Sequence, residues 1–313
     1  MTLAYLFPGQ GAQQEGYLHR LHEQPAYRET LDEASQVLGT DILTLDTPDA
    51  LRSTVAVQIG LVAAGVATQR ALATEQLMPE ISAGLSVGAY AAAVSCGALA
   101  FGDALRLVRK RAELMESAYP FGYGLAAIAG LSEHQLEKLA AESESDARSR
   151  VYIANVNAPR QIVMAGADAA LDRFVKRTLA AGARKASRLQ VSVPSHCELL
   201  AHASDELLAY AGDIPFHTPG STYIGNRGGR PLRTPEAIRD DLATNMRYTV
   251  RWYDTLTAMI EMGARVLIEA PPGQVLTDIT RDAFPDVISI AANTIAFDRL
   301  AATVRRRMDA TGS

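Results

Sequence analysis

Apolar and polar positions along the chain change period repeatedly, and each change marks an element. Leu3-Ala4-Tyr5-Leu6-Phe7 is an apolar run too short for a helix and reads as a buried strand. Helical spacing follows over 25–38, and a longer alanine-rich helix is predicted over 51–73. A second strand over Pro79–Ala83 leads through Gly84-Leu85-Ser86-Val87-Gly88 into a helix from Ala89. This alternation predicts an α/β fold around a mostly parallel sheet. Between Phe101 and Ala118, stepping at about 100° per residue gathers Ala104, Leu105, Leu107, Val108, Ala112, Leu114, Met115 and Ala118 on one arc. Arg106, Arg109, Lys110, Glu113 and Glu116 fall opposite or at its margin, whereas Arg111 falls near the middle of the apolar arc.

The texture changes from Gly122 to about Gln190. Strands over Gly124–Ala129, Arg150–Asn155, Gln161–Gly166 and Arg184–Val191 interleave with helices over Glu133–Glu142 and Ala169–Ala181. That β-α-β-β-α-β order predicts a ferredoxin-like small subdomain, with the polar stretch Glu142 to Arg150 as a loop. The chain then returns through Val193-Pro194-Ser195-His196-Cys197-Glu198, with a helix starting near Cys197. Further on come a loop with Asn226-Arg227-Gly228-Gly229, helices through Asp241–Met246 and Arg251–Met262, and the strand Val266–Ile268. Glu269-Ala270-Pro271-Pro272-Gly273-Gln274 then leads to another helix. The expected organisation is a large α/β-hydrolase-like domain with a parallel sheet (1–122 and 195–313), interrupted by the small subdomain (123–194).

Composition narrows the function classes. With 313 residues, 48% of them apolar and 21% charged, the chain fits a soluble globular protein. A net charge of −5 argues against general nucleic-acid binding. Two cysteines, Cys96 and Cys197, offer neither a disulfide framework nor a zinc spacing. The N-terminus runs directly into an apolar strand rather than a signal peptide, and the apolar run Ile59–Ala67 is too short to span a bilayer. These features lead us to expect a cytoplasmic protein with no membrane partner.

Four places carry candidate chemistry. Gly-x-Ser-x-Gly between a strand and a helix is what a nucleophile elbow requires: a tight turn exposes the Ser86 hydroxyl at a helix N-terminus. Small residues also cluster in ordinary tight turns. Arg111 in an apolar face needs an anion. Either a buried ion pair with an Asp or Glu or a clamp on a substrate carboxylate would supply one. The Pro8–Gln13 loop, with two glycines around Gln10, is a surface turn or a point of close backbone approach. It is neither a dinucleotide fingerprint nor a phosphate loop. His196, just past a proline where the chain re-enters the large domain, is placed to reach a cleft. His19, His22 and His134 sit in polar contexts, and His202 and His217 have no motif around them.

Taken together, Phe7–Gln13, Gly84–Gly88, Arg111, Asn155-x-Asn157-x-Pro159-x-Gln161, Pro194–Cys197 and Pro272-Gly273-x-Val275-Leu276-Thr277 resemble the malonyl-CoA:acyl carrier protein transacylase family over nearly the whole chain. The resemblance implies Ser86 as nucleophile and His196 as base. It implies backbone N–H groups of Gln10 and Val87 as the oxyanion hole, Arg111 as the holder of the malonyl carboxylate, and the Asn245 backbone carbonyl as the group that orients the histidine. It implies no bound cofactor, and the sequence shows no metal constellation. Malonyl-CoA would be the donor, and the pantetheine-type thiol of an acyl carrier protein the acceptor. The compact Asp49–Gln58 segment and the Ala270–Gly273 exit look most like the malonate decarboxylase epsilon subunit, which implies other decarboxylase subunits as partners. The alternative is a malonyl transacylase of fatty-acid or polyketide synthesis. The family usually has His where this chain has Leu85, which bears on rate and acyl selectivity.

Two rivals belong to other classes. An α/β-hydrolase esterase would place its histidine near the C-terminus, after an Asp or Glu, and no histidine follows His217. A catalytically degenerate docking subunit would rest on Leu85 alone. Docking on an acidic carrier would use positive charge. Arg184, Lys185 and Arg188, and Arg305, Arg306 and Arg307, are equally well explained as solvated faces.

Overall fold

A computed structural model describes residues 2–21, 24–142 and 150–310. Its ten strands are Thr2–Phe7 (β1), Ile81–Gly84 (β2), Tyr123–Ala129 (β3), Val151–Ala158 (β4), Gln161–Ala167 (β5), Lys185–Arg188 (β6), Thr222–Ile224 (β7), Pro231–Leu232 (β8), Ala264–Glu269 (β9) and Ile288–Ala291 (β10). Six form one sheet in the order β10-β9-β1-β2-β7-β8, parallel except for the β7–β8 pair at the edge. The other four form an antiparallel sheet in the order β4-β5-β3-β6, with the helices Glu133–Ala141 and Asp168–Ala180 between its strands in sequence.

The first strand shows why the parallel sheet is central. Its side chains alternate between two cores: Leu3, Tyr5 and Phe7 pack on one face, Ala4 and Leu6 on the other. Both sets are buried, so the strand reads as a continuous apolar run rather than an alternating one. The first face is covered by the helices Pro25–Leu38, Thr54–Thr74 and Phe101–Ala118, and the second by Trp252–Glu261 and Val275–Ala283. Thr54–Thr74 is long and apolar enough to cross a membrane by length and composition, but 83% of its most apolar window is buried inside the fold. It extends beyond the Ile59–Ala67 run because Ser53 caps its N-terminus at Val55 N–H.

On the helix Phe101–Ala118, Ala104, Leu105, Leu107, Val108, Ala112 and Met115 are buried as its periodicity predicts, and so is Arg111. Ala118 is exposed at the helix end. The predicted strand Arg184–Val191 is a strand only over Lys185–Arg188; Leu189 N–H still donates to Leu125 O at 2.9 Å, and from there Leu189, Gln190 and Val191 line a cleft. The expected helix near Cys197 opens as a single 3-10 turn, Glu198–Leu200, before Ala201–Ala211. Strand β10 and the helix Phe297–Ala310 were not predicted. The first is only four residues long, whereas the second buries Leu300, Ala301 and Val304 on one arc at helical spacing, a period that the sequence carried and the reading passed over. Residues 143–149 of the predicted Glu142–Arg150 loop and His22 lie outside the described residues.

The second sheet is joined to the first beside the cleft. Val156 N–H donates to Val250 O at 2.9 Å, and Val250 N–H donates to Ala154 O at 2.9 Å. The segment around Val250 thus runs as an extra edge along β4, only a few residues beyond Asn245.

The tightest packing lies where β1 and β2 end. A Cβ on Gly84 would overlap the Gly88 backbone, and one on Gly88 would overlap Phe7 O. Gly84→Ala is therefore expected to destabilise the fold by about 1–3 kcal/mol or more, read as a lower urea midpoint. The control is Gly102→Ala, where the nearest atom, Val37 Cγ2, would lie 3.4 Å from the new carbon. That change is expected to leave the midpoint unchanged or raise it.

Candidate active site

Strand β2 ends at Gly84, the helix Gly88–Ser95 begins four residues later, and Ser86 makes the turn with φ 56°. A side chain rarely adopts that left-handed conformation, at a cost of roughly 1–2 kcal/mol, so the surroundings must hold it. Leu85 N–H donates to Phe7 O at 2.9 Å, locking the turn to the end of β1. On the other side the Asn226 side chain accepts from Ser86 N–H at 2.8 Å and donates to Gly84 O at 2.9 Å.

His196 lies across the turn. Its Nε2 is 2.7 Å from Ser86 Oγ and its Nδ1 2.8 Å from Asn245 O. A backbone carbonyl only accepts, so in the neutral ring the proton sits on Nδ1 and the Nε2 lone pair faces the serine hydroxyl. The ring is positioned from the backbone too: His196 N–H donates to Met246 O at 2.7 Å, with φ 66° at His196 itself. Burial, and then the nearby Arg111 charge, push the imidazole down from 6.5 to about 4, only partly offset by the Asn245 carbonyl. No carboxylate stands behind this histidine among the described residues, which separates the arrangement from a Ser-His-Asp hydrolase.

Arg111 is 1% exposed. Its Nη1 donates to Gln58 Oε1 at 2.6 Å, and its Nη2 to Asn245 Oδ1 at 3.3 Å and to Ser86 Oγ at 3.2 Å. Its Nε has no partner, and no Asp or Glu pairs with it among the described residues. The ion-pair alternative therefore falls away, leaving a buried guanidinium held by neutral amides beside a serine hydroxyl. Burial lowers its proton affinity. A carboxylate bound here would restore the missing counter-charge.

These groups open onto a cleft of about 550 Å³, lined on one side by the Pro8–Gln13 loop, Leu85, Ser86 and Val87 and on the other by Leu125, Asn155, Asn157 and Gln161 of the antiparallel sheet. Gln10 and Val87 both line it, and among the described residues neither N–H finds an acceptor in the fold. A free N–H at the start of the helix next to Ser86, with a second on the loop that lines the same cleft, is suited to a developing oxyanion. Leu85 packs against the Gly9 backbone, where an added Cβ would meet Leu85 Cδ2 at 2.5 Å.

The structure thus brings Ser86, His196, Arg111, Asn245, Gln10 and Val87 to one place. His19 instead binds Asp46 at 2.9 Å, and His134 and His202 are on the surface. The sequence reading missed two site residues. Gln58 left a readable signal, since it is the one amide within the apolar stretch of its helix. Asn226 left none, because an Asn before Arg-Gly-Gly reads as an ordinary turn.

The acyl transferase domain family matches residues 4–310. A malonyl CoA-acyl carrier protein transacylase of Haemophilus influenzae is 37% identical over 300 residues, covering 94% of this chain and 96% of that protein. The structure of the Coxiella burnetii malonyl CoA-acyl carrier protein transacylase superposes with a TM-score of 0.92 at 32% identity, covering 98% of both chains. A malonyl-transacylase solved in complex with a type II polyketide-synthase acyl-carrier protein gives 0.87 at 36% identity, covering 93% of this chain and 95% of that one.

The depressed His196 has two pH consequences. Only the neutral ring accepts the serine proton, so labelling of Ser86 by an uncharged sulfonyl fluoride is expected to lose its histidine-dependent part near pH 4 rather than near 6.5. The unfolded chain takes up this proton near 6.5 and the folded chain only near 4. His196 therefore withdraws stability as pH falls through that window and withdraws no more below it. Arg111→Ala, which removes the repelling charge, is expected to move the labelling limb upward.

Proposed function

The chain belongs to the acyl transferase domain family, and from that premise we propose that it moves a malonyl group from malonyl-CoA to the pantetheine-type thiol of an acyl carrier protein through an ester on Ser86. The observation that carries this reading is the buried Arg111, which has no carboxylate partner among the described residues and lies 3.2 Å from Ser86 Oγ. A serine–histidine pair alone fits many acyl transfers. A buried cation beside it selects an acyl group that ends in a carboxylate.

In the proposed reaction Ser86 Oγ attacks the thioester carbonyl while His196 Nε2 takes its proton, with Nδ1–H held on the Asn245 carbonyl. The N–H groups of Gln10 and Val87 receive the oxyanion. Collapse breaks the carbon–sulfur bond, and His196 returns the proton to the departing CoA sulfur. The carrier thiol then gives its proton to His196 and attacks the ester, and Ser86 leaves with the proton restored. The donor and acceptor thiols occupy the cleft in turn, so the kinetics are ping-pong.

The carrier-protein acceptor is supported by the relatives' names and by the related transacylase solved with its carrier. Those relatives favour the transacylase of fatty-acid or polyketide synthesis over the malonate decarboxylase branch, and we adopt the former. We also read residues 123–194 as a ferredoxin-like subdomain inserted in an acyltransferase domain of 1–122 and 195–313. The strand order β4-β5-β3-β6 and its two helices support that division. The 2.7 Å Ser86–His196 contact weighs against a degenerate docking subunit.

Intact mass after brief incubation with malonyl-CoA tests the reading. The native chain is expected to gain one malonyl group and Ser86→Ala none. No adduct on the native chain would sink the proposal. Arg111→Ala is expected to slow malonyl loading by about 100-fold, the loss of charged hydrogen bonds worth roughly 1.5–3 kcal/mol each, while acetyl loading from acetyl-CoA changes far less.

A further inference from the structure

Asn226 is 3% exposed and comes from a loop that the proposed mechanism does not use. Strand β2 pairs with β7 at Ile81–Thr222, Ser82–Tyr223 and Ala83–Ile224, and there the ladder stops. Past that point the backbone must leave the sheet to make the turn, which would strand Gly84 O and Ser86 N–H between strand and helix. The side-chain amide of Asn226 supplies one donor and one acceptor in their place: Nδ2 to Gly84 O at 2.9 Å, and Oδ1 from Ser86 N–H at 2.8 Å. A primary amide carries both groups on one planar unit, as a peptide bond does. It continues the ladder across a turn that a backbone strand could not follow.

The amide is itself held. Asn226 N–H donates to the Asp241 carboxylate at 3.0 Å, and Arg227 N–H does so at 3.4 Å. Tyr223 OH donates to the same carboxylate at 2.7 Å. Asp241 is buried on the helix Pro235–Thr244, and Asn245, whose carbonyl binds His196, is the residue that ends that helix. One helix therefore reaches both partners of the 2.7 Å contact: Ser86 through Asp241 and Asn226, His196 through Asn245.

We infer that Asn226 is a positioning residue for acyl transfer: its amide fixes the left-handed Ser86, and with it the aim of Oγ toward His196 and of the Val87 N–H toward the oxyanion. The inference rests on the proposed function for its reaction but not for its geometry. Asn226 touches no reacting atom, so its loss is expected to act on the chemical step and not on substrate capture.

The test compares native protein, Asn226→Ala and Asn226→Asp in three measurements: malonyl loading from malonyl-CoA, labelling of Ser86 by an uncharged sulfonyl fluoride, and the dissociation constant of CoA. Asn226→Ala is expected to slow loading and labelling alike, by about 100-fold as for loss of an oxyanion donor, while CoA binding stays within twofold. Asn226→Asp keeps the acceptor for Ser86 N–H but loses the donor to Gly84 O, and is expected to fall between the two. Asn226→Ala reacting within threefold of native would overturn the inference, as would loss of CoA binding in parallel with rate. If Asn226→Ala does not fold, the nearly isosteric Asn226→Asp decides, and native rates in it overturn the inference. A native chain that takes the sulfonyl fluoride on Ser86 but no malonyl group counts against the transacylase reading alone. The labelling comparison then still decides the role of Asn226.

Discussion

A single residue held against its own backbone preference sets the terms for the rest of the site. Ser86 turns the chain from strand into helix at φ 56°, and that geometry holds only because its neighbours leave no alternative. Glycine at 84 and 88 lets strand, helix and the end of β1 come within contact of one another. The Leu85 N–H bond to Phe7 O fixes one side of the turn, and the Asn226 amide fixes the other. The strain is local, and the restraint comes from segments some 80 and 140 residues away in sequence.

The second constraint is electrostatic. The almost entirely buried Arg111 guanidinium contacts amides and a hydroxyl, with the Tyr90 ring 6.0 Å away, and among the described residues it lacks the counter-charge that usually justifies burying a cation. The same charge helps keep His196 neutral, so one group serves twice in the proposed reaction. It favours an anionic acyl group, and it preserves the free Nε2 lone pair that the serine proton requires. Orienting the imidazole with a backbone carbonyl rather than a carboxylate is consistent with this. A second buried anion next to Arg111 would neutralise the charge that the substrate is proposed to meet.

The two sheets divide the work of enclosing the cleft. Ser86 and the Gln10 loop follow the carboxyl ends of the parallel strands β2 and β1, as expected where strand ends face a crevice. The antiparallel sheet adds a wall with Asn155, Asn157 and Gln161 on it. The pairing of Val250 with β4 fixes that wall close to the turn that presents Asn245. Leu85 sits on the Gly9 backbone, so its side chain supports the loop that presents Gln10.

Much of this was legible in the sequence, because the signals were local. The period of apolar residues gave the long helices and most strands of the two sheets. Gly-x-Ser-x-Gly announced a turn, and Arg111 stood out as a charge on an apolar arc. Locality also set the limit. Whether Arg111 meets a carboxylate or a neutral amide depends on Gln58 and Asn245, which lie on separate elements. That Asn226 completes a broken ladder depends on β7 lying beside β2, which no spacing along the chain encodes. Strand β10 was missed because four residues give too weak a period, whereas the last helix carried a readable arc of Leu300, Ala301 and Val304. The sequence by itself determined which residues were chemically unusual. Only the tertiary structure decided which of them face one another, since long-range hydrogen bonds and the burial of a charge are properties of segments brought together, not of any one segment.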